Sequence, residues 1–140
     1  MSIELCKELA RLFEEQLHNQ KKLAVIDDII AEEFTNSDRG KSGEILTRQS
    51  LKEQLSGMFQ AVPDLHDDVH EMVAEDKLVI YRLTRSGTFT DKLGELAPTG
   101  KYASINGFHI LTIDGGFITG CIYHFDTPAM YEWFGIPLKS

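Results

Sequence analysis

Apolar positions recur three and four apart from the start of the chain to Leu17. Leu5, Leu9, Leu12, Phe13 and Leu17 share one helical face, and Glu4, Lys7, Glu8, Arg11, Glu14 and Glu15 cover the other, with Ser2 as N-cap. His18 ends this helix, where a cation suits the dipole. A second helix is expected from Lys21 to Ala31, with Leu23, Ile26, Ile29 and Ile30 as its apolar side. Its Asp27, Asp28, Glu32 and Glu33 read as a solvated face rather than as an acid–base pair. Phe34 heads a polar loop, TNSDRGKSGE, punctuated by Gly40 and Gly43. A third helix begins near Thr47, repeats Leu51, Leu55, Met58, Phe59 and Val62 at helical spacing, and stops at Pro63-Asp64.

From Leu65 the period becomes strand-like. Leu65, Val69 and Val73 mark the apolar face of a first strand, whose polar residues suit an edge. Its His66 and His70 share a face but stand roughly 13 Å apart in extended chain, too far for one metal ion. After Glu75-Asp76 comes the strand Lys77–Thr90, in which Arg82 and Arg85 have opposite parity, one facing inward and one outward. A loop, DKLGELAPTGK, leads to a hairpin from Lys101 to Asp126 turned at Asp114-Gly115-Gly116. A short aromatic helix, Pro128–Phe134, closes the chain, as a cap on the core or the lid of a pocket. Helices gathered ahead of an antiparallel meander of four strands make the fold class α+β.

Composition narrows the functional classes. A chain of 140 residues is expected to form one domain over 1–140. The net charge of −8 argues against nucleic acid and anionic membranes as partners, since both require a basic footprint. No apolar run approaches membrane-spanning length, and the acidic amphipathic N-terminus is unlike a leader, so a cytoplasmic location is expected. Cys6 and Cys121 fit reduced thiols there, Cys121 as a small buried hydrophobe.

Most of the candidate chemistry sits on the hairpin, and its register decides which residues meet. A three-residue loop pairs Ile113 with Phe117 and sets His109 opposite Cys121, with Tyr123 the diagonal neighbour about 7–8 Å away. A two-residue loop, or a bulge, flips the parity and turns His109 toward His124. His124 and Asp126 otherwise share the opposite face with Phe108 and Ile110.

The runs PDLHDDVHEMVAEDKLVIYRLTRSGTFT and APTGKYASINGFHILTIDGGFITGCIYHFDTPAMYEWFG resemble the SnoaL-like polyketide cyclases, of the nuclear transport factor two-like superfamily. The resemblance covers nearly the whole chain and is densest from Pro63 to Gly135. It implies a cone-shaped curved sheet wrapped around the N-terminal helices, with a hydrophobic pocket inside. It also implies homodimers or higher oligomers formed through the outer sheet face. The characterised cyclases close a ring by an intramolecular aldol reaction without a cofactor, with no metal, using an acid and a pocket histidine. Carried onto this chain, the histidine is His109 and the acid position is Tyr123, and the three residues before it read Gly120-Cys121-Ile122 where relatives often have Glu-His-Trp. Register favours the three-residue loop, because the family's His–acid pairing requires it. Asp126 is expected to cap the terminal helix, and as the acid within the second strand it is the fallback proton shuttle. The substrate wall is expected to include Phe59, Arg82, Tyr102, Cys121 and Trp133, with Arg82 paired to Asp126 or another carboxylate.

Two functions fit these residues. One is a cofactor-free enzyme that abstracts a proton from a small hydrophobic carbonyl compound, with His109 as base and Tyr123 as hydrogen-bond donor to the enolate. The other is a non-catalytic pocket or dimerisation module, with His109 a hydrogen-bonded core residue. Epoxide hydrolysis, which occurs elsewhere in the superfamily, would want an Asp–Arg–Asp set aimed at one water.

Overall fold

The first helix forms as its pattern predicts but turns a different face inward. The computed structural model describes residues 2–39 and 43–137. Ser2 caps α1 (Ile3–Leu12), its hydroxyl accepting from the Leu5 amide at 3.1 Å. The helix continues into a π-helical segment, Phe13–Asn19. The buried residues are Cys6, Ala10, Phe13, Glu14, Leu17 and His18, while Leu5 is exposed. Small Cys6 and Ala10 let the helix lie close against the sheet, and the wider π-turn brings Glu14 and His18 inward together.

The expected second helix is much shorter. A single 3-10 turn (Leu23–Val25) leads into α2 (Ile26–Ile29), and β1 (Ile30–Asp38) begins at once. The polar stretch read as a loop is a strand pair, β1 with β2 (Glu44–Thr47), joined antiparallel from Glu33↔Thr47 to Asn36↔Glu44. Gly40, Lys41 and Ser42 lie outside the described residues. Thr47 then caps α3 (Arg48–Ala61) in a reciprocal box with Ser50.

The strands β3 (His66–Glu75), β4 (Leu78–Thr88), β5 (Tyr102–Asp114) and β6 (Phe117–Phe125) follow, and then α4 (Thr127–Phe134). They form one six-stranded sheet in the order β2-β1-β6-β5-β4-β3, mixed because β1 runs parallel to β6. The curved sheet folds over the helices, as in the cone-shaped α+β architecture expected. The inward face expected for β3 holds only at and just before its start, where Leu65 and Asp67 are buried, and beyond the bulge Met72 and Ala74 turn inward instead. Val69 and Val73 are exposed, Asp67 is buried, and the register shifts between Val69 and Met72.

The hairpin register departs from both simple alternatives. Asp114 pairs with Phe117 around a two-residue turn, with Gly115 and Gly116 at φ 59° and 84°. A bulge then intervenes between Ile113↔Ile118 and Thr112↔Gly120. The short turn flips the parity and the bulge flips it back. His109 therefore lies directly opposite Tyr123, and Cys121 opposite Leu111.

Gly107 gives this arrangement its room. A Cβ there would stand 2.4 Å from Phe125 Cδ1 and 2.5 Å from the His124 carbonyl oxygen. Neither neighbour can retreat without moving β6, so Gly107→Ala is expected to cost about 2–3 kcal/mol, read as a fall in melting temperature on the order of 5–12 °C. An unchanged melting curve would mean the two strands part easily here.

Candidate functional site

Three residues on neighbouring strands stand in one row. Tyr81 on β4 pairs with His109 on β5, and His109 pairs with Tyr123 on β6. Glu14 reaches this row from the π-helical segment. Its Oε1 lies 2.8 Å from His109 Nδ1 and 2.5 Å from the Tyr81 hydroxyl, which is also 3.0 Å from His109 Nδ1. A carboxylate only accepts, so Nδ1 of His109 and the Tyr81 hydroxyl both donate to it. Burial, with Glu14 beside it, pushes the Tyr81 phenol up and keeps it protonated as a donor. The proton on Nδ1 leaves Nε2 of His109 as the free, basic nitrogen.

A second cluster adjoins the first. Arg85 grips Asp67 through two bonds of 2.7 Å, from Nε to Oδ1 and from Nη2 to Oδ2. Burial pushes the Asp67 carboxyl up, but the Arg85 guanidinium outweighs it and holds the group well below the usual carboxylate range. Burial likewise works against the Arg85 charge, and Asp67 more than restores it. Asn19 fixes Asp67 in place, accepting from its amide at 2.7 Å and donating to its carbonyl at 2.9 Å. His18 donates Nδ1–H to the Phe13 carbonyl at 2.8 Å, the proton being required because a carbonyl accepts. Glu14 Oε2 lies 4.0 Å from that nitrogen and has no hydrogen-bond partner among the described residues.

Glu14, His18 and Asp67 hold one donor atom each within 4.8 Å of one another, close enough to share a cation. Both Asp67 oxygens are taken by Arg85, however, and His18 Nδ1 by Phe13. In this arrangement the guanidinium supplies the positive charge.

Burial lowers the pKa of His18, the two nearby carboxylates only partly opposing it. The folded protein thus binds this proton less readily than the unfolded chain does. Stability from neutral His18 is full above the ordinary histidine value of about 6.5 and is lost as pH falls below it, with a slope of at most about 1.4 kcal/mol per pH unit. Asp67 adds a second loss below about 3.9, where the unfolded chain takes up a proton that the paired carboxylate refuses. Denaturant melts between pH 7 and 5 are expected to show the first loss, and His18→Phe to flatten it.

Beside these groups lies a cavity of about 320 Å³ between sheet and helices. Its wall is mostly apolar and includes Phe13, Phe34, Leu51, Leu55, Ile105 and Phe125. His109, His18 and Arg85 face it from one side, and Asn36, Asp38, Gln54 and Tyr123 make a second polar region. Burial, then Asp38, pushes the half-buried Tyr123 phenol up.

Of the residues singled out from sequence, His109, Tyr123, Cys121 and Trp133 line this cavity. Burial pushes the Cys121 thiol up, as suits an inert apolar wall. The other four lie elsewhere. Arg82 sits on the outer face, bonded twice to Glu71 at 2.9 and 3.0 Å rather than to Asp126. Tyr102 is 66% exposed at the start of β5. Phe59 packs beside His18 and under the Lys21 ammonium, off the cavity wall. Asp126 caps α4, accepting from the Ala129 amide at 3.2 Å, and its side chain is thereby committed outside the cavity. Glu14, His18, Tyr81, Asp67 and Arg85 were not among the expected site residues.

The profile of the SnoaL-like polyketide cyclases matches residues 7–132. Among solved structures, a proposed polyketide cyclase from Acidithiobacillus ferrooxidans is 24% identical, with TM-score 0.80 over 96% of this chain and 98% of the other. A proposed SnoaL-like polyketide cyclase from Jannaschia is 17% identical, with TM-score 0.84 over 97% and 95%. An LEH-like epoxide hydrolase from M. tuberculosis is 16% identical, with TM-score 0.73 over 94% and 86%. These likenesses establish a shared fold. No curated protein matches the chain. Among the described residues, no helix is long and apolar enough to cross a membrane.

Proposed function

The chain belongs to the SnoaL-like polyketide cyclase family, and from that premise we propose that it abstracts a proton next to a carbonyl in a small apolar substrate, with His109 as base. The observation that carries this reading is the buried Glu14–His109 pair. The carboxylate fixes the Nδ1–H tautomer and so presents Nε2 to the cavity. The proton passes from carbon to Nε2, and the electron pair moves onto the carbonyl oxygen. Among the described residues Arg85 Nη1 has no hydrogen-bond partner, and Arg85 lines the same cavity, where it can hold that oxyanion. In a cyclase the carbanionic carbon then attacks a second carbonyl of the same molecule, forming the ring bond, and the new alkoxide takes up a proton.

The set Glu14–Arg85–Asp67 has the make-up that epoxide hydrolysis would want. Neither carboxylate lines the cavity, and His18, His109 and Arg85 stand in front of them. Water activated by either acid would have no substrate beside it, which favours the proton-abstraction reading.

The test is exchange of the α-hydrogens of 1-indanone in D2O, followed by NMR. Enzyme-dependent exchange that disappears in His109→Ala supports the base. Exchange equal in both proteins removes His109 from the reaction.

A further inference from the structure

Resting on the reading of His109 as base, we infer that the cavity selects a compact β-hydroxy ketone, and that His18 is the residue that recognises its hydroxyl. Three polar atoms on the cavity wall have no protein partner among the described residues: Nε2 of His109, Nε2 of His18 and Nη1 of Arg85. None of the three is sealed within the protein. Each is defined by what its other end does. Glu14 makes His109 Nε2 a base, Phe13 makes His18 Nε2 an acceptor, and Asp67 leaves Arg85 Nη1 a donor.

Two aromatic rings link them. His18 packs on Phe13 with centroids 4.7 Å apart, and His109 touches the same ring at 6.3 Å. His109 also packs on Phe125 at 5.8 Å, and the Arg85 guanidinium lies 4.8 Å over that ring. The base shares Phe13 with the acceptor and Phe125 with the donor, and the Asp67 that holds Arg85 also lies near His18, so the three groups gather at one corner of the cavity. A ligand that satisfies all three carries a carbonyl oxygen, an acidic C–H on the next carbon, and a hydroxyl on the carbon after that. Depression of the His18 pKa by burial keeps its imidazole neutral, as an acceptor must be. The volume of about 320 Å³ sits at the lower end of ligand pockets, room for on the order of ten to twenty non-hydrogen atoms. That fits one or two rings.

The experiment compares three probes of one skeleton, 3-hydroxy-1-indanone, 1-indanone and 1-indanol, by calorimetric titration of the intact protein. The hydroxy ketone is expected to bind at least about tenfold tighter than either probe lacking one group, because the unmatched buried polar atom would otherwise stay unpaired. His18→Phe is expected to erase its advantage over 1-indanone. In wild-type protein the ¹⁵N signal of His18 Nε2 should move on adding the hydroxy ketone and stay in place with 1-indanone, a readout independent of how the variant folds. Equal affinities for the two ketones, or an unmoved signal, would overturn the inference. Deuterium exchange into 1-indanone, measured on the same samples, separates the two claims. Exchange without a binding preference sinks hydroxyl recognition and leaves the base. A preference without exchange keeps His18 and removes the base.

Discussion

His109→Ala is expected to lower α-proton exchange by about 10²–10⁴-fold with little change in apparent KM, the loss typical of a missing general base. Glu14→Gln should approach the same figure although it leaves the imidazole in place. The amide can offer N–H to Nδ1, which would move the ring proton to Nε2 and block the nitrogen facing the cavity. Glu14 is thus a positioning residue, and the discriminating readout is the split between kcat and KM. If Glu14→Gln weakens substrate binding while turnover is preserved, its role is to shape the cavity. Circular dichroism and a thermal melt on each variant verify that the fold persists.

Arg85→Met is expected to cost about 3–5 kcal/mol, because it strands the Asp67 carboxylate with no cation. Asp67 is only 2% exposed, so water cannot take over from the guanidinium. Asp67→Leu combined with Arg85→Met should recover much of that loss, since two apolar groups of similar bulk need no partner. Urea denaturation of the two single variants and the pair gives the coupling directly. Single losses that simply add would show that the ion pair is solvated.

Much of the fold could be read from periodicity, and the exceptions share a physical cause. Residues from β4 to α4 lie close to where alternation and turn chemistry put them. Strands β1 and β2 were hidden because the chain there is largely polar, with Ile30, Phe34 and Leu46 as its buried hydrophobes. On β4 both faces are apolar. Val79, Tyr81 and Leu83 point inward with Arg85, while Leu78 and Ile80 remain partly exposed beside Arg82. Opposite parity was legible, but which arginine faced inward was not. Glu14 was misplaced for a related reason. A helical wheel assigns every acid to solvent, and only a buried partner such as His109 can overrule it. The small residues Cys6 and Ala10, two turns and one turn before Glu14, were the available sign that this side lies against the sheet.

The pairing of His109 with Tyr123 depends on Thr119 staying out of the ladder, unmatched by β5 between Ile118 and Gly120. Ironing out the bulge, with Thr119 drawn in to pair with Thr112, would slide the remainder of β6 by one place. Ile122 and His124 would then point into the hollow, and Cys121, Tyr123 and Phe125 would turn to the outside. A phenol would be exchanged for an imidazole without a single substitution. For this scaffold, a slip of strand register changes the chemistry of the hollow while every residue stays in the chain.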